Sequence, residues 1–384
     1  MKKWTSLLPG MTAMLLFACG SGDDAVKVIE QNGHELYVCD YFKVKDTPVT
    51  LKLSDMVEPL EIIKLENDTN AMIGYSSVYL SENYMLLRPD WKSPVKLFDR
   101  QGKYLNDIGT IGRGPGEYTT VYDMQIDEKR GMVYFLPWTN NVLYCYDLKG
   151  DFKSAVPLAG RLPKGKFKVQ DNLLTVVALP FDRGVKWAAF CQDFDTGRLL
   201  DSVAAGPYAV NSDYSNEVNG DWDNNSFYFF VWKGKQDSLY RYEPGKNSLT
   251  PCFTVDYGGI EEIPIHDYRE TGDYFWFTTS TIVRTSKNNY TNKTEKSILV
   301  DKKNRTATSS YNVENDYLGY YTSLWSFSNG YYAENISPVK LKEKLEKASK
   351  RKDLIPEVEQ RIDDLLADID EEGNNYVIIG KMKK

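Results

Sequence analysis

The stretch VYDMQIDEKRGMVYFLPWTNNVLYCYDLKGDFKSAVPL, residues 121–158, holds four short strands in a row. Val121 to Asp127 alternates apolar and polar side chains, Glu128 to Gly131 turns, and Met132 to Leu136 is a second apolar run. Val142 to Asp147 is a third strand, Leu148 to Gly150 a tight turn, and Phe152 to Leu158 a fourth. Period-two alternation rich in aromatic and β-branched residues, broken by turn formers, marks half-buried antiparallel strands.

This unit is copied along the chain. A hydrophobic residue and an acid precede a turn at Phe98-Asp99, Tyr146-Asp147, Phe194-Asp195, Tyr242-Glu243 and Val300-Asp301, in steps of 48, 48, 48 and 58 residues. The turn formers are Gly102, Gly150, Gly197, Gly245 and Asn304. Four strands in about 48 residues is the pattern of a propeller blade, and an even spacing argues against a sandwich. A looser fifth copy runs from about His266 to Tyr311, and a sixth starts at Tyr320 and continues to Ile336. There the pattern changes. Leu341, Leu345 and Ala348, then Val358, Ile362, Leu365, Leu366 and Ile369, recur at helical spacing before Asn375 to Lys381 resumes as a strand.

The last copy lacks a fourth strand, and Leu60 to Leu65 is a strand without a blade. Pairing them closes the ring and removes two open edges. The expectation is therefore an all-β chain: a six-bladed β-propeller of four-stranded antiparallel blades, closed by an N-terminal strand, with a helical insertion at 338–373 in the last blade.

Composition is that of a globular protein, 42% hydrophobic and 26% charged, with 13% aromatic residues that favour strands. A net charge of −7 excludes nucleic acid as a partner, because nothing would neutralise phosphates in bulk. Lys2 and Lys3, the apolar stretch from Leu7 to Ala18, and Cys19 read as an export signal. Leu16-Phe17-Ala18-Cys19 resembles the bacterial lipobox, whose cysteine becomes the lipidated first residue. The divisions are a lipoprotein signal peptide at 1–18, a lipidated tether at 19–48 and the propeller at 49–384. Acyl chains contributing about 0.8 kcal/mol per buried methylene would hold the chain on a membrane. Cys39, Cys145, Cys191 and Cys252 allow three disulfide pairings but show no zinc spacing; buried free thiols are the simpler reading.

Gly109-Thr-Ile-Gly112-Arg113-Gly114-Pro115-Gly116-Glu117-Tyr118 crosses from the first blade to the second. It opens a strand, not a helix, so it is no dinucleotide fingerprint, and it lacks the Gly-Lys-Ser/Thr of a P-loop. Together with Leu97 to Gly109, this loop resembles the six-bladed β-propeller lipoproteins of Bacteroidota, which are related in pattern to NHL repeats. The resemblance covers nearly the whole mature chain. It implies an extracytoplasmic, monomeric lipoprotein of the outer membrane, periplasmic or surface-exposed, and it assigns no reaction.

In an up-and-down blade, B-to-C and D-to-A loops share one face, strands being lettered A to D from the axis outward. That face is expected to carry Trp91, Trp138 and Trp232 with Arg113, Glu117 and Tyr118, the candidate ligand-binding residues. A binding or scaffold module is the first expectation, its ligand a glycan, a peptide or an envelope protein. No cofactor is required by it. The alternative is a calcium-dependent hydrolase or lyase of the lactonase-like propeller type, with Asp123, Glu217, Asn219 and Asp221 as metal candidates in the axial channel. The chain has two histidines, His34 and His266, and no nucleophile elbow.

Overall fold

A computed structural model describes residues 24–383 except 91, 139, 140 and 287–289. Cys19 and Trp91 thus lie outside the described residues. The first three blades are Val78–Leu80, Tyr84–Leu87, Val95–Asp99 and Tyr104–Ile108; Val121–Asp127, Met132–Pro137, Val142–Asp147 and Phe152–Pro157; and Gly165–Gln170, Leu173–Ala178, Trp187–Asp193 and Leu199–Ala204. The fourth comprises Glu217–Asp221, Ser226–Phe230, Ser238–Arg241 and Thr250–Asp256; the fifth comprises Ile265–Thr271, Tyr274–Arg284, Tyr290–Asp301 and Thr306–Thr308.

The blade count departs from expectation. Tyr311–Asn315 pairs with Tyr320–Thr322 on one side and, in parallel, with Val49–Lys52 on the other, making a three-stranded sheet. The final sheet is Phe327–Ser328, Tyr331–Ile336, Tyr376–Lys381 and Glu61–Lys64. With the three-stranded sheet as the sixth, the propeller has seven blades, not six. With the fifth copy ending at Tyr311 and the next starting at Tyr320, the repeat leaves the strand Tyr311–Asn315 without a blade. Its partner, Val49–Lys52, lies some 260 residues away and gives no local signal.

The described part of the span expected as tether, from residue 24, contains strands. Val26–Gln31 and His34–Asp40 form a hairpin whose second strand runs parallel to Thr250–Asp256, extending the fourth sheet to six strands. Val26 and Cys39 are buried there with Phe253, Phe275 and Tyr268, and Leu36 is buried as well.

Hydrophobic clusters fill the gaps between consecutive sheets. Leu86 and Leu97 of the first meet Val121, Phe135 and Tyr146 of the second, and comparable clusters follow around the ring. The helices Pro338–Ala348 and Pro356–Asp368 leave between Tyr331–Ile336 and Tyr376–Lys381. They bury Leu341, Leu345, Ala348, Val358 and Ile362 against Tyr320, Tyr332 and Tyr376. Each helix has Pro in its first turn, where the missing N–H has no intrahelical partner to lose.

Candidate functional site

Inner strands expose their ends at the two mouths of the axis, and the loops that leave them decide what each mouth presents. On the face of the B-to-C and D-to-A loops lies a cavity of about 610 Å³. Tyr75 and Ser76 come from the entry to the first blade, Arg88 and Asp90 from its B-to-C loop, and Thr120 from the crossing to the second. Trp138 comes from the next B-to-C loop and Tyr214 from the crossing between the third and fourth blades. Tyr75 is 92% exposed and Trp138 39%. The Trp138 and Tyr214 rings stand edge to face with centroids 6.1 Å apart, and Phe181 braces Tyr214 from behind at 5.4 Å.

Beneath these rings the polar groups are held in place. Lys164 Nζ donates to the carbonyls of Tyr214 and Asn216, at 2.7 and 2.9 Å, and pairs with Glu217. The Tyr122 hydroxyl donates to Glu217 Oε2 at 2.5 Å. Burial, reinforced by the Glu217 charge, pushes the Tyr122 phenol far above its ordinary range, so it stays a donor. Lys164 thereby fixes the loop carrying Tyr214 from below.

The expected ligand-binding residues separate. Trp138 lines the cavity. Trp232 is committed elsewhere, its Nε1 donating to the Ser215 carbonyl at 2.8 Å. Glu117 folds back on its own loop, accepting from Gly114 N–H at 2.8 Å. Tyr118 is buried, its hydroxyl donating to Ile108 O at 2.7 Å and accepting from Val95 N–H at 2.9 Å. Tyr118, packed on Phe135 and Tyr146 of the second blade, is therefore a clasp between blades, while Glu117 ties only its own loop. Arg113 is exposed on that loop and outside the cavity lining.

The metal candidates do not converge. Glu217 is paired with Lys164, and buried Asp123 faces Lys166 Nζ at 3.4 Å while accepting from Phe167 N–H at 3.1 Å. Asn219 donates to both Asp267 oxygens at 3.1 Å, and Asp221 caps its own turn through Asp223 and Asn224 N–H. Among the described residues no three His, Cys, Asp or Glu side chains are grouped to hold a metal. Calcium needs six to eight oxygens, and lysines stand beside two of these four donors; the residues do not fit that ion. Cys39, Cys145, Cys191 and Cys252 are free and buried.

Sequence reasoning missed Tyr75, Tyr214, Tyr122, Lys164 and Arg88. The available signal was Tyr214 itself, an aromatic residue inside the polar stretch Asn211-Ser-Asp-Tyr214-Ser-Asn216.

A ring of mainly antiparallel sheets around one axis is a β-propeller. The chain belongs to the family described as "Domain of unknown function (DUF4934)", which matches residues 36–381. The match takes in most of the strand His34–Asp40. Among solved structures the chain is similar to a protein of Bacteroides fragilis NCTC 9343 described as exported, with 15% identity, 88% of this chain and 100% of that chain covered, and a TM-score of 0.55. That likeness shows the fold. It is also similar to a member of the DUF4221 family from Bacteroides vulgatus, with 11% identity, coverage of 85% and 97%, and a TM-score of 0.40. No protein with a curated description matches.

Proposed function

We propose that this protein is an extracytoplasmic binding module, anchored in the outer membrane through lipid on Cys19, that takes a sugar ring of a glycan in the mouth walled by Tyr75, Trp138 and Tyr214. The observation that carries the reading is the pairing of three aromatic side chains with the hydroxyls of Ser76, Ser77 and Thr120 around one cavity. Aromatic faces stack on the apolar C–H face of a pyranose, and a rim of hydroxyl, carboxylate and guanidinium groups matches its ring of hydroxyls. Export rests on the signal-like segment at 1–18, and a fold shared with a protein described as exported agrees with it.

A glycan array read with the soluble chain, followed by calorimetry on the hits, tests the ligand. Trp138→Ala and Tyr214→Ala should each weaken binding about tenfold, the loss of one stacking contact. An array blank for glycans, or hits indifferent to both substitutions, would overturn the glycan assignment. For the anchor, labelling of cells with an alkyne fatty acid should tag the wild-type chain and spare Cys19→Ser. Equal labelling of both would remove the lipid from the proposal.

A further inference from the structure

The opposite mouth of the axis is a separate chamber with a different chemistry. It measures about 410 Å³ and is lined by inner strands of the first four blades and by the Ser328-Asn329 turn of the last. Tyr79 and Met124 line both chambers and so form the partition between them.

Lys166 and Lys168 stand two apart on the strand Gly165–Gln170 and so share its axial side, while Phe167 between them is buried in the core. Lys166 faces Asp123. The Lys168 ammonium makes no hydrogen bond or ion pair among the described residues, and Lys168 lines the chamber. Across the next blade, the turn after Glu217–Asp221 brings in Asp221, Trp222 and Asp223. Asp221 is used up in capping that turn. The Asp223 carboxylate is unpaired among the described residues and lies toward Gly330, where an added Cβ would stand 3.1 Å from its Oδ1. Trp222 Nε1 is buried without a partner. It has almost no accessible surface, so a ligand in the chamber would not touch it.

One chamber thus holds an unpaired ammonium and an unpaired carboxylate that does not reach it. A simple anion would meet three aspartates as well as two lysines; a simple cation would meet the reverse. We infer that this chamber binds a small zwitterion, an α-amino acid or short peptide, its carboxylate on Lys168 and its ammonium on Asp223. A volume of this size suits one or two residues. Tyr331, Leu80 and Met124 provide the surface against which a side chain would lie.

The test is calorimetry on the whole soluble chain with a panel of free amino acids and dipeptides, each hit repeated as its N-acetylated and its C-amidated form. Blocking either end should weaken binding about tenfold, since each block removes one of the two charge-assisted hydrogen bonds. Lys168→Gln should weaken the free-carboxylate ligands while leaving the amidated form unchanged, and Asp223→Asn should do the converse for the ammonium. Trp138→Ala, at the other mouth, should change nothing, which separates this site from the glycan mouth. Blocked and unblocked forms bound alike, or no member of the panel bound at about 10 mM, would overturn the inference. Because blocked ligands act on the unaltered chain, a variant that fails to fold leaves the decision intact.

Discussion

The acid of the repeated hydrophobic–acid pair has a definite task. Asp147 Oδ1 accepts from the N–H groups of Lys149 and Asp151 at 2.9 and 3.0 Å, and Asp99 Oδ1 does the same for Gln101 and Lys103 at 2.9 Å each. The side chain thus replaces the strand ladder where the backbone reverses, and a glycine with positive φ completes the turn, Gly102 at 86° and Gly150 at 88°. In the third blade the even beat misleads: the accepting acid is Asp193, bonded to Thr196 at 2.8 Å, and not Asp195. The turn there is one residue longer, so a constant spacing conceals a shifted cap. Asp147→Ala should cost about 1 kcal/mol, while Asp147→Asn, which keeps an acceptor, should cost about half or less. Urea melts of the two variants check this, and equal losses would assign the effect to charge alone. Tyr118→Phe strands both Val95 N–H and Ile108 O in the interior, so about 2 kcal/mol should be lost with the backbone fold unchanged. The same urea melt reads it, and a loss below about 0.5 kcal/mol would mean that the hydroxyl does not hold the clasp.

At the scale of elements, the glycine crossing is a two-stranded parallel clip, Thr110–Ile111 beside Glu117–Tyr118. Gly116 sits there at φ 73°, and a Cβ on it would lie 2.3 Å from Phe152 Cγ. Gly116→Ala therefore combines backbone strain with a clash against the second blade; it should lower the melting temperature by more than Arg113→Ala, whose side chain is exposed. Differential scanning calorimetry of the pair decides it. What could be read in the sequence follows from which contacts are local. Strands within a blade are neighbours in sequence, so the alternation of Val142 to Asp147 and the turn at Gly150 suffice to place them. The helices were legible because Leu341, Leu345 and Val358, Ile362 carry their own period. The hairpin Val26–Gln31 and His34–Asp40 was not. Its charges at Lys27, Glu30 and Glu35 resemble those of a solvated tail, and the parallel partner that buries Cys39 lies more than two hundred residues away. The mouth was half legible: topology puts B-to-C and D-to-A loops on one face, which placed Trp138, but loop sequence does not say that Trp232 turns to Ser215 instead of the axis.

Over the whole molecule, the N-terminal segment is a belt. His34–Asp40 joins the fourth sheet; Lys45 and Thr47 are bonded to Ser309 and Thr308 at the rim of the fifth; Val49–Lys52 joins the sixth and Glu61–Lys64 the seventh. Four consecutive blades are tied from outside by about thirty residues, and the last of these ties, Glu61–Lys64 on Tyr376–Lys381, is the pairing that closes the ring. A chain hung from Cys19 would pass its load first to the fourth sheet. Alkali should loosen the whole body. Burial pushes Tyr79 and Tyr134 up to about 12 from an ordinary 10.0, and Cys39 and Cys252 up to about 12 from 9.0. The unfolded chain then releases these protons first, so the stability they lend is complete below about pH 9 and is lost as pH rises toward about 12. Urea midpoints should fall steadily across that window, and a flat profile would mean the groups are reached by solvent. Truncation tests the belt directly. A chain starting at residue 41 loses the hairpin, uncovers the Thr250–Asp256 edge and gives up the burial of Val26, Leu36 and Cys39, each worth about 1.5–3 kcal/mol before the entropy of ordering is subtracted. It should keep the β-sheet circular dichroism spectrum, melt several degrees lower and associate through the bared edge. A chain starting at residue 66 also loses the sixth and seventh pairings and should not fold. If the first truncation melted with the full chain, the hairpin would be an appendage; if it failed to fold as the second does, the belt and the ring would be one cooperative unit.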